Sequence, residues 1–255
     1  MSSRGRSQQN RFLVFGEREI CRGLEAGFEY ESLLIRQTQA ERFQPLLRDF
    51  PGLEPVIVAD ELFERIRYGE RDEDLVAIGA RPDTGLGQLE LNENALVFVL
   101  ESLEKPGNVG AIVRTADAIG ASAVVLSEPL SDFFHANCIR ASMGCVFTTP
   151  LATGTNPEVQ EWLWQSDFAV FAAIVEGSTR YDEVAYSERS ALVLGNEARG
   201  LSESWRLLAS DPERKIKGIH LPMLGRADSL NVSTTAAIIG YEAGRQRGFQ
   251  RNSDP

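Results

Sequence analysis

The residues of this chain best suited to chemistry fall in three glycine-punctuated loops: Asn108 and Arg114 in the first, Glu197 in the second, Ser229 and Asn231 in the third. None is a histidine or a cysteine, so beyond the one carboxylate of Glu197 this group gives a zinc ion little to bind. What it offers is orientation. Arginine is a planar fork that stays protonated, a good partner for an anion and an awkward base. Each residue also has a plainer use. Asn108, Ser229 and Asn231 stand where side chains cap helix N-termini, Glu197 where an acid favours the dipole of the next helix, and Arg114 where a surface ion pair would suffice.

In the first loop, LEKPGNVGAIVRTADAIGASAVVL (103–126), Gly107 and Gly110 let the backbone turn sharply and approach a neighbour. Arg114 lies among Ile112, Val113, Ala116 and Ala118, which predicts a buried or interfacial arginine. The second, ALVLGNEARGLSESW (191–205), brackets Glu197 with Gly195 and Gly200, a loop whose backbone can close over something flat. It lacks the Gly-Lys-Ser/Thr ending of a phosphate loop, and GxGxxG follows no strand, so an ordinary dinucleotide site is unsupported. The third, IHLPMLGRADSLNVSTTAAIIGYEAGRQR (219–247), is an apolar run stopped by Pro222 and a loop built on Gly225 and Asp228. Its helix carries Ala236, Ile239 and Ala243 on one stripe, with Ser229 or Asn231 as the cap.

Loops of this kind need strands to carry them. ALVFVL (95–100), SAVVL, FAVFAAIV (168–175), ALVLG and IHLPM are near-continuous apolar runs, the pattern of a parallel sheet covered on both faces. Ligands of such sheets sit beyond the carboxyl ends of the strands, where the three loops are. Helices are expected over NVGAIVRTADAIG, ended by Gly120, around His135 to Ser142, and after Asn156 as cap with Pro157 in the first turn. Upstream, RFLVF, YESLLI, PVIVA and DLVAIGA read as strands. They alternate with helices in EREICRGLEAG (closed by Gly27), QAERFQPLLRDF (before Pro51) and DELFERIR. That is a smaller α/β layer. RPDTGLGQLELNEN (81–94) is rich in turn formers and acids. The expected organisation is a flexible tail at 1–10, an α/β domain at 11–91, a second α/β domain at 92–248 and a tail at 249–255.

With 255 residues and 43% hydrophobic content, the chain can bury a core without disulfides. Cys21, Cys138 and Cys145 are scattered and unpaired by spacing, which points to a reduced, cytoplasmic setting. His135 and His220 are the only histidines and leave a zinc site almost nothing to work with, so no metal is expected; no apolar run is long enough to span a membrane. The net charge of −11 argues against a wholly basic nucleic-acid surface, though Arg4, Arg6 and Arg11 and Arg245, Arg247 and Arg251 make local basic ends.

Taken in order, NxGxxxR (108–114), LGNExxGL (194–201) and LPMxGxxxSLNVS (221–233) closely resemble the signatures of the SpoU family of RNA ribose 2′-O-methyltransferases, in the SPOUT superfamily. RASMGCVFTTPL (140–151) is similar to a further segment of that family, and the likeness covers residues 95–248. Residues 11–80, chiefly FGEREICRGLEAG, more weakly resemble the ribosomal-protein-like RNA-binding domain that often precedes the catalytic one.

The resemblance implies an α/β fold in which a parallel-sheet SPOUT domain ends in a C-terminal trefoil knot, preceded by a small α/β RNA-binding domain. It implies S-adenosylmethionine as cofactor, a homodimer, and an RNA substrate, ribosomal RNA more than tRNA. Gly195, Leu221 and Leu230 would bind the cofactor through backbone groups, with Gly200, Met223, Ser229 and Asn231 shaping the same loops. Arg114, Asn108 and Glu197 would be catalytic: Arg114 holding an RNA phosphate and the forming alkoxide, Asn108 orienting it, and Glu197 fixing Arg114 or Asn108, in one chain or across the dimer. The alternatives are a tRNA ribose or base methyltransferase of the same superfamily, or an adaptor that kept the fold and lost the chemistry.

Overall fold

The computed structural model describes residues 10–66, 68–69, 73–175, 178–186, 189–209 and 216–249. The expected tails, with Arg4, Arg6 and Arg251, lie outside the described residues apart from Asn10 and Phe249. Two sheets organise the chain. The first holds β1 (Arg11–Phe15), β2 (Tyr30–Arg36), β3 (Pro55–Val58) and β4 (Leu75–Ala80) in the order β1-β4-β2-β3. In it β4 runs antiparallel to both neighbours and β2 parallel to β3. Helices α1 (Glu17–Glu25), α2 (Gln44–Asp49) and α3 (Asp60–Ile66) connect these strands. The single helix expected over 39–50 is a 3-10 turn, Gln37–Phe43, followed by α2. Pro45 is the cause: it has no N–H to give the preceding turn, so it sits in the first turn of a new helix.

The second sheet is entirely parallel and carries the three loops. Its strands are β5 (Leu96–Glu101), β6 (Ala123–Ser127), β7 (Leu151–Gly154), β8 (Ala169–Ala173), β9 (Thr179–Arg180), β10 (Ser190–Leu194) and β11 (Ile216–His220), in the order β7-β6-β5-β10-β8-β11-β9. Around it lie α4 (Pro106–Ile119), α5 (Ala136–Ala141), α6 (Asn156–Gln165), α7 (Glu203–Ala209) and α8 (Val232–Gln246). Side chains alternate between faces along each strand, and both faces are apolar. Phe98, Leu100, Leu126 and Leu192 pack with Ile112, Ala116, Ala236 and Ile239 of α4 and α8. Val97, Val99, Val125 and Val193 face Val159 and Leu163 of α6 and Trp205 of α7.

Helix starts refine the sequence reading. The cap of α6 is Thr155, in a capping box with Glu158, and Asn156 is the first helical residue. At α4 the cap position is Lys105 and Pro106 opens the helix, so Asn108 is no cap: it lies inside the first turn with its side chain free for other partners. Gly110 lets α4 approach α5, since a Cβ there would come within 2.3 Å of the Cys138 carbonyl oxygen.

The RASMGCVFTTPL segment joins the two sheets. Arg22 of α1 donates to the Met143 carbonyl at 2.9 Å, Gly144 takes a left-handed φ of 84°, and Phe147 packs against Phe12, Phe28 and Tyr30. Nearby, Arg81 pairs with Asp132 at 2.8 Å. Residues 81–94 run along β7, with the Thr153 amide donating to the Thr84 carbonyl at 2.7 Å.

Candidate active site

The loops after β5, β10 and β11 meet at the carboxyl ends of their strands. A chain of hydrogen bonds ties them: Asn108 Nδ2 donates to Glu197 Oε1 at 2.8 Å, and Asn231 Nδ2 donates to Asn108 Oδ1 at 3.3 Å. Asn231 is also the cap of α8, its Oδ1 accepting from the Ser233 amide at 2.9 Å and from the Ser233 hydroxyl. Asn108 thus links the Glu197 carboxylate of the second signature to Asn231 of the third.

That carboxylate is held in its charged form. Burial pushes the Glu197 pKa up, but its own backbone N–H, the Asn108 amide and the backbone N–H groups of Glu104 and Lys105 all favour the anion and leave the pKa below the usual carboxylate range. Those last two N–H groups immediately precede α4, so an acid from the second loop sits at the positive end of the first loop's helix.

The preceding residue organises the turn. Asn196 is buried; its Nδ2 donates to the Ser102 carbonyl at 2.8 Å and to Glu104 Oε1 at 3.2 Å, while its Oδ1 accepts from the amides of Ala198 and Arg199. Sequence reasoning assigned Asn196 no role, though an asparagine between glycine and glutamate after a strand is a strong turn former. Gly195 lies so close to the returning loop that a Cβ would come within 2.3 Å of Gly200 C and Leu201 N. The glycine is therefore required by the chain's own backbone. Gly195→Ala is expected to force the loop apart, costing roughly 1–3 kcal/mol, and thermal unfolding of the purified variant measures it.

Gly200 closes the turn with a left-handed φ of 67° and donates its amide to the Asn196 carbonyl. Leu221 is half-buried against the core, Met223 is partly covered, and Ser229 and Leu230 are exposed. The backbone groups of Leu221, Met223 and Leu230 make no hydrogen bond to another described residue. They lie at a strand end with donors and acceptors available, which is the chemistry that the edge of an adenine requires; the residues present fit an adenosyl cofactor.

Of the two placements expected for Arg114, burial within the chain is not seen. The residue is exposed, and its guanidinium has no hydrogen bond or ion pair among the described residues. Its neighbours Ile112 and Val113 are buried because they point about 100–200° away around the helix. Six positions beyond Asn108, it lies ~9 Å further along the axis. Of the two partners expected for Glu197, Asn108 is in contact and Arg114 of the same chain is not. Among the described residues no three His, Cys, Asp or Glu side chains converge as around a metal ion, and no helix is long and apolar enough to cross a membrane.

A seven-stranded parallel sheet carries, at the carboxyl ends of its strands, a site built from carboxamides, one carboxylate and backbone groups, the arrangement of a ligand-binding α/β protein. Residues 95–241 match the SpoU rRNA Methylase family, and the chain belongs to that family. It is 29% identical over 250 residues to the 23S rRNA (uridine(2479)-2′-O)-methyltransferase of Streptomyces viridochromogenes, covering 95% of this chain and 85% of that protein. It is 27% identical over 236 residues to the 23S rRNA (guanosine(2553)-2′-O)-methyltransferase of Bacillus subtilis (strain 168), covering 92% and 89%. The fold superposes on the SpoU methyltransferase of S. viridochromogenes in complex with S-adenosylmethionine with a TM-score of 0.87 at 27% identity, covering 97% and 94% of the two chains.

Proposed function

We propose that this protein methylates a ribose 2′-hydroxyl of ribosomal RNA with S-adenosylmethionine. The observation that carries this is the Glu197–Asn108–Asn231 hydrogen-bond chain, which joins all three signatures at one end of the sheet. The cofactor supplies a methyl group already activated on a sulfonium, so the protein has to align and hold. Gly195, Leu221 and Leu230 offer backbone groups to the adenine; Gly200, Met223 and Ser229 shape its walls, and Asn231 fixes the loop that carries them. Asn108, oriented by Glu197, faces the substrate side. Arg114, with no partner of its own, is available to an RNA phosphate and to the oxygen that loses its proton, which passes to that phosphate or to water.

Two finer features belong to the same reading. The chain after β10 passes as a trefoil knot, a reading supported by the packing of α8 against α4. The protein works as a homodimer that brings Arg114 into a complete site, supported by the exposed Leu224 and Leu230 in the third loop and the exposed Tyr241 on α8. Residues 11–91 are a substrate-binding unit, and the protein is cytoplasmic. Calorimetry tests the cofactor assignment: Asn231→Ala is expected to weaken S-adenosylmethionine binding by about 0.5–2 kcal/mol, the worth of the cap that orders its loop. Unchanged affinity would remove the cofactor from these loops.

A further inference from the structure

A cavity of 660 Å³ opens at the carboxyl ends of β5 and β10. It shares Asn196 and Gly200 with the site, but Glu197, Asn108, Leu221, Met223 and Leu230 are not in its walls. It is thus a separate concavity against the same loop, and nothing in the methyl-transfer chemistry uses it. Its base is rigid. Glu101, 2% exposed, accepts from Asn156 Nδ2 and from the Ser202 amide at 2.8 Å, and the buried Trp205 donates its indole N–H to Asn156 Oδ1 at 3.0 Å.

Three features of the walls point to one class of ligand. Leu130 and Leu207 are exposed by 62% and 64%, giving apolar surface that a flat ring would cover. Arg199 has no hydrogen bond or ion pair from its guanidinium among the described residues, whereas Arg11, Arg18, Arg36, Arg42, Arg81, Arg180 and Arg245 all face carboxylates. Glu104 and Glu203 line the same cavity, Glu104 with one oxygen accepting from Asn196 Nδ2 and the other not engaged by a described residue. A bare phosphate would leave the two acids unexplained, and a cationic peptide would leave Arg199 unexplained. An amino-bearing base with its phosphate uses both: carboxylates accept from exocyclic amino groups, and arginine holds phosphate.

We propose that this cavity takes one unstacked nucleobase carrying an exocyclic amino group, from the substrate RNA, with the adjoining phosphate on Arg199. The proposal rests on the reading of the chain as an RNA methyltransferase. It makes the cavity a specificity site that holds the RNA beside the reacting ribose, as single-stranded RNA is held by stacking and edge contacts.

The test uses the full-length protein without cofactor and fluorescently labelled oligocytidylate and oligouridylate, read by anisotropy. Oligocytidylate is expected to bind more tightly than oligouridylate. Arg199→Gln, and Leu207→Trp, which fills the cavity from an exposed position, should each weaken oligocytidylate binding about tenfold and raise KM for ribosomal RNA, with S-adenosylmethionine affinity unchanged. Equal binding of the two oligonucleotides, or wild-type affinity for oligocytidylate in both variants, would overturn the proposal. Binding and methylation are read separately. If the protein binds oligocytidylate as expected but transfers no methyl to ribosomal RNA, the proposed function falls and the cavity assignment stands. If it methylates RNA but both variants behave as wild type, only the cavity assignment falls.

Discussion

Arg114→Ala is expected to lower single-turnover methyl transfer by about 10²–10³-fold while leaving S-adenosylmethionine affinity unchanged. The residue is exposed on α4, some distance from the backbone groups assigned to adenine, and no described side chain occupies its guanidinium. On the proposed reading its contribution is to RNA and to the charge that develops on the attacking oxygen. Arg114→Lys separates this role from that of a base. Lysine keeps the charge, loses the planar fork, and can deprotonate where arginine cannot. If Arg114 clamps phosphate and oxyanion together, the lysine variant stays impaired at every pH. Recovery towards the wild-type rate as pH rises would assign a neutral amine base to this position instead.

The second large effect concerns a residue far from any signature. Glu101 ends β5 as a buried carboxylate whose partners are the Asn156 amide and the Ser202 N–H, with no cation among them. Asn156 in turn accepts from Trp205 Nε1 and the Ser127 hydroxyl. Glu101→Gln turns an amide N–H against another N–H, and Asn156→Asp turns a carboxylate against a carboxylate. Each single variant is expected to lose roughly 1–3 kcal/mol of stability and to bind cofactor more weakly, because Ser202 anchors the end of the Gly195–Leu201 loop. The double variant exchanges acid and amide and restores every donor–acceptor pair, so it should recover most of both losses. Losses that simply add, measured by thermal unfolding and calorimetry on all four proteins, would mean that the residues do not act as a unit.

Much of this architecture was legible in the sequence because the parallel sheet writes itself as apolar runs: ALVFVL, SAVVL, FAVFAAIV and ALVLG all lie on strands. The stripe Ala236, Ile239 and Ala243 is buried as the periodicity required. Helix starts were less legible, because several neighbouring polar residues can cap and only the local dihedrals choose; hence Thr155 where Asn156 was expected, and Lys105 and Pro106 ahead of Asn108. Of the buried or interfacial placement expected for Arg114, burial within the chain fails because its apolar neighbours in sequence point to other faces of the helix. The partnership of Asn108 with Glu197 and Asn231 spans 89 and 123 positions, and the role of Glu101 depends on contacts 55 and 101 positions away. Contacts at such separations are fixed by topology, and no local pattern encodes them.

The central claim is tested most directly by nucleoside mass spectrometry. Ribosomal RNA from cells lacking the protein is incubated with the purified enzyme and methyl-labelled S-adenosylmethionine, then digested to nucleosides. The structure predicts a single labelled nucleoside whose fragmentation places the methyl on the ribose, absent when Arg114→Ala replaces the wild type. Label on a base, or no label in ribosomal RNA while the protein binds the cofactor, would contradict it.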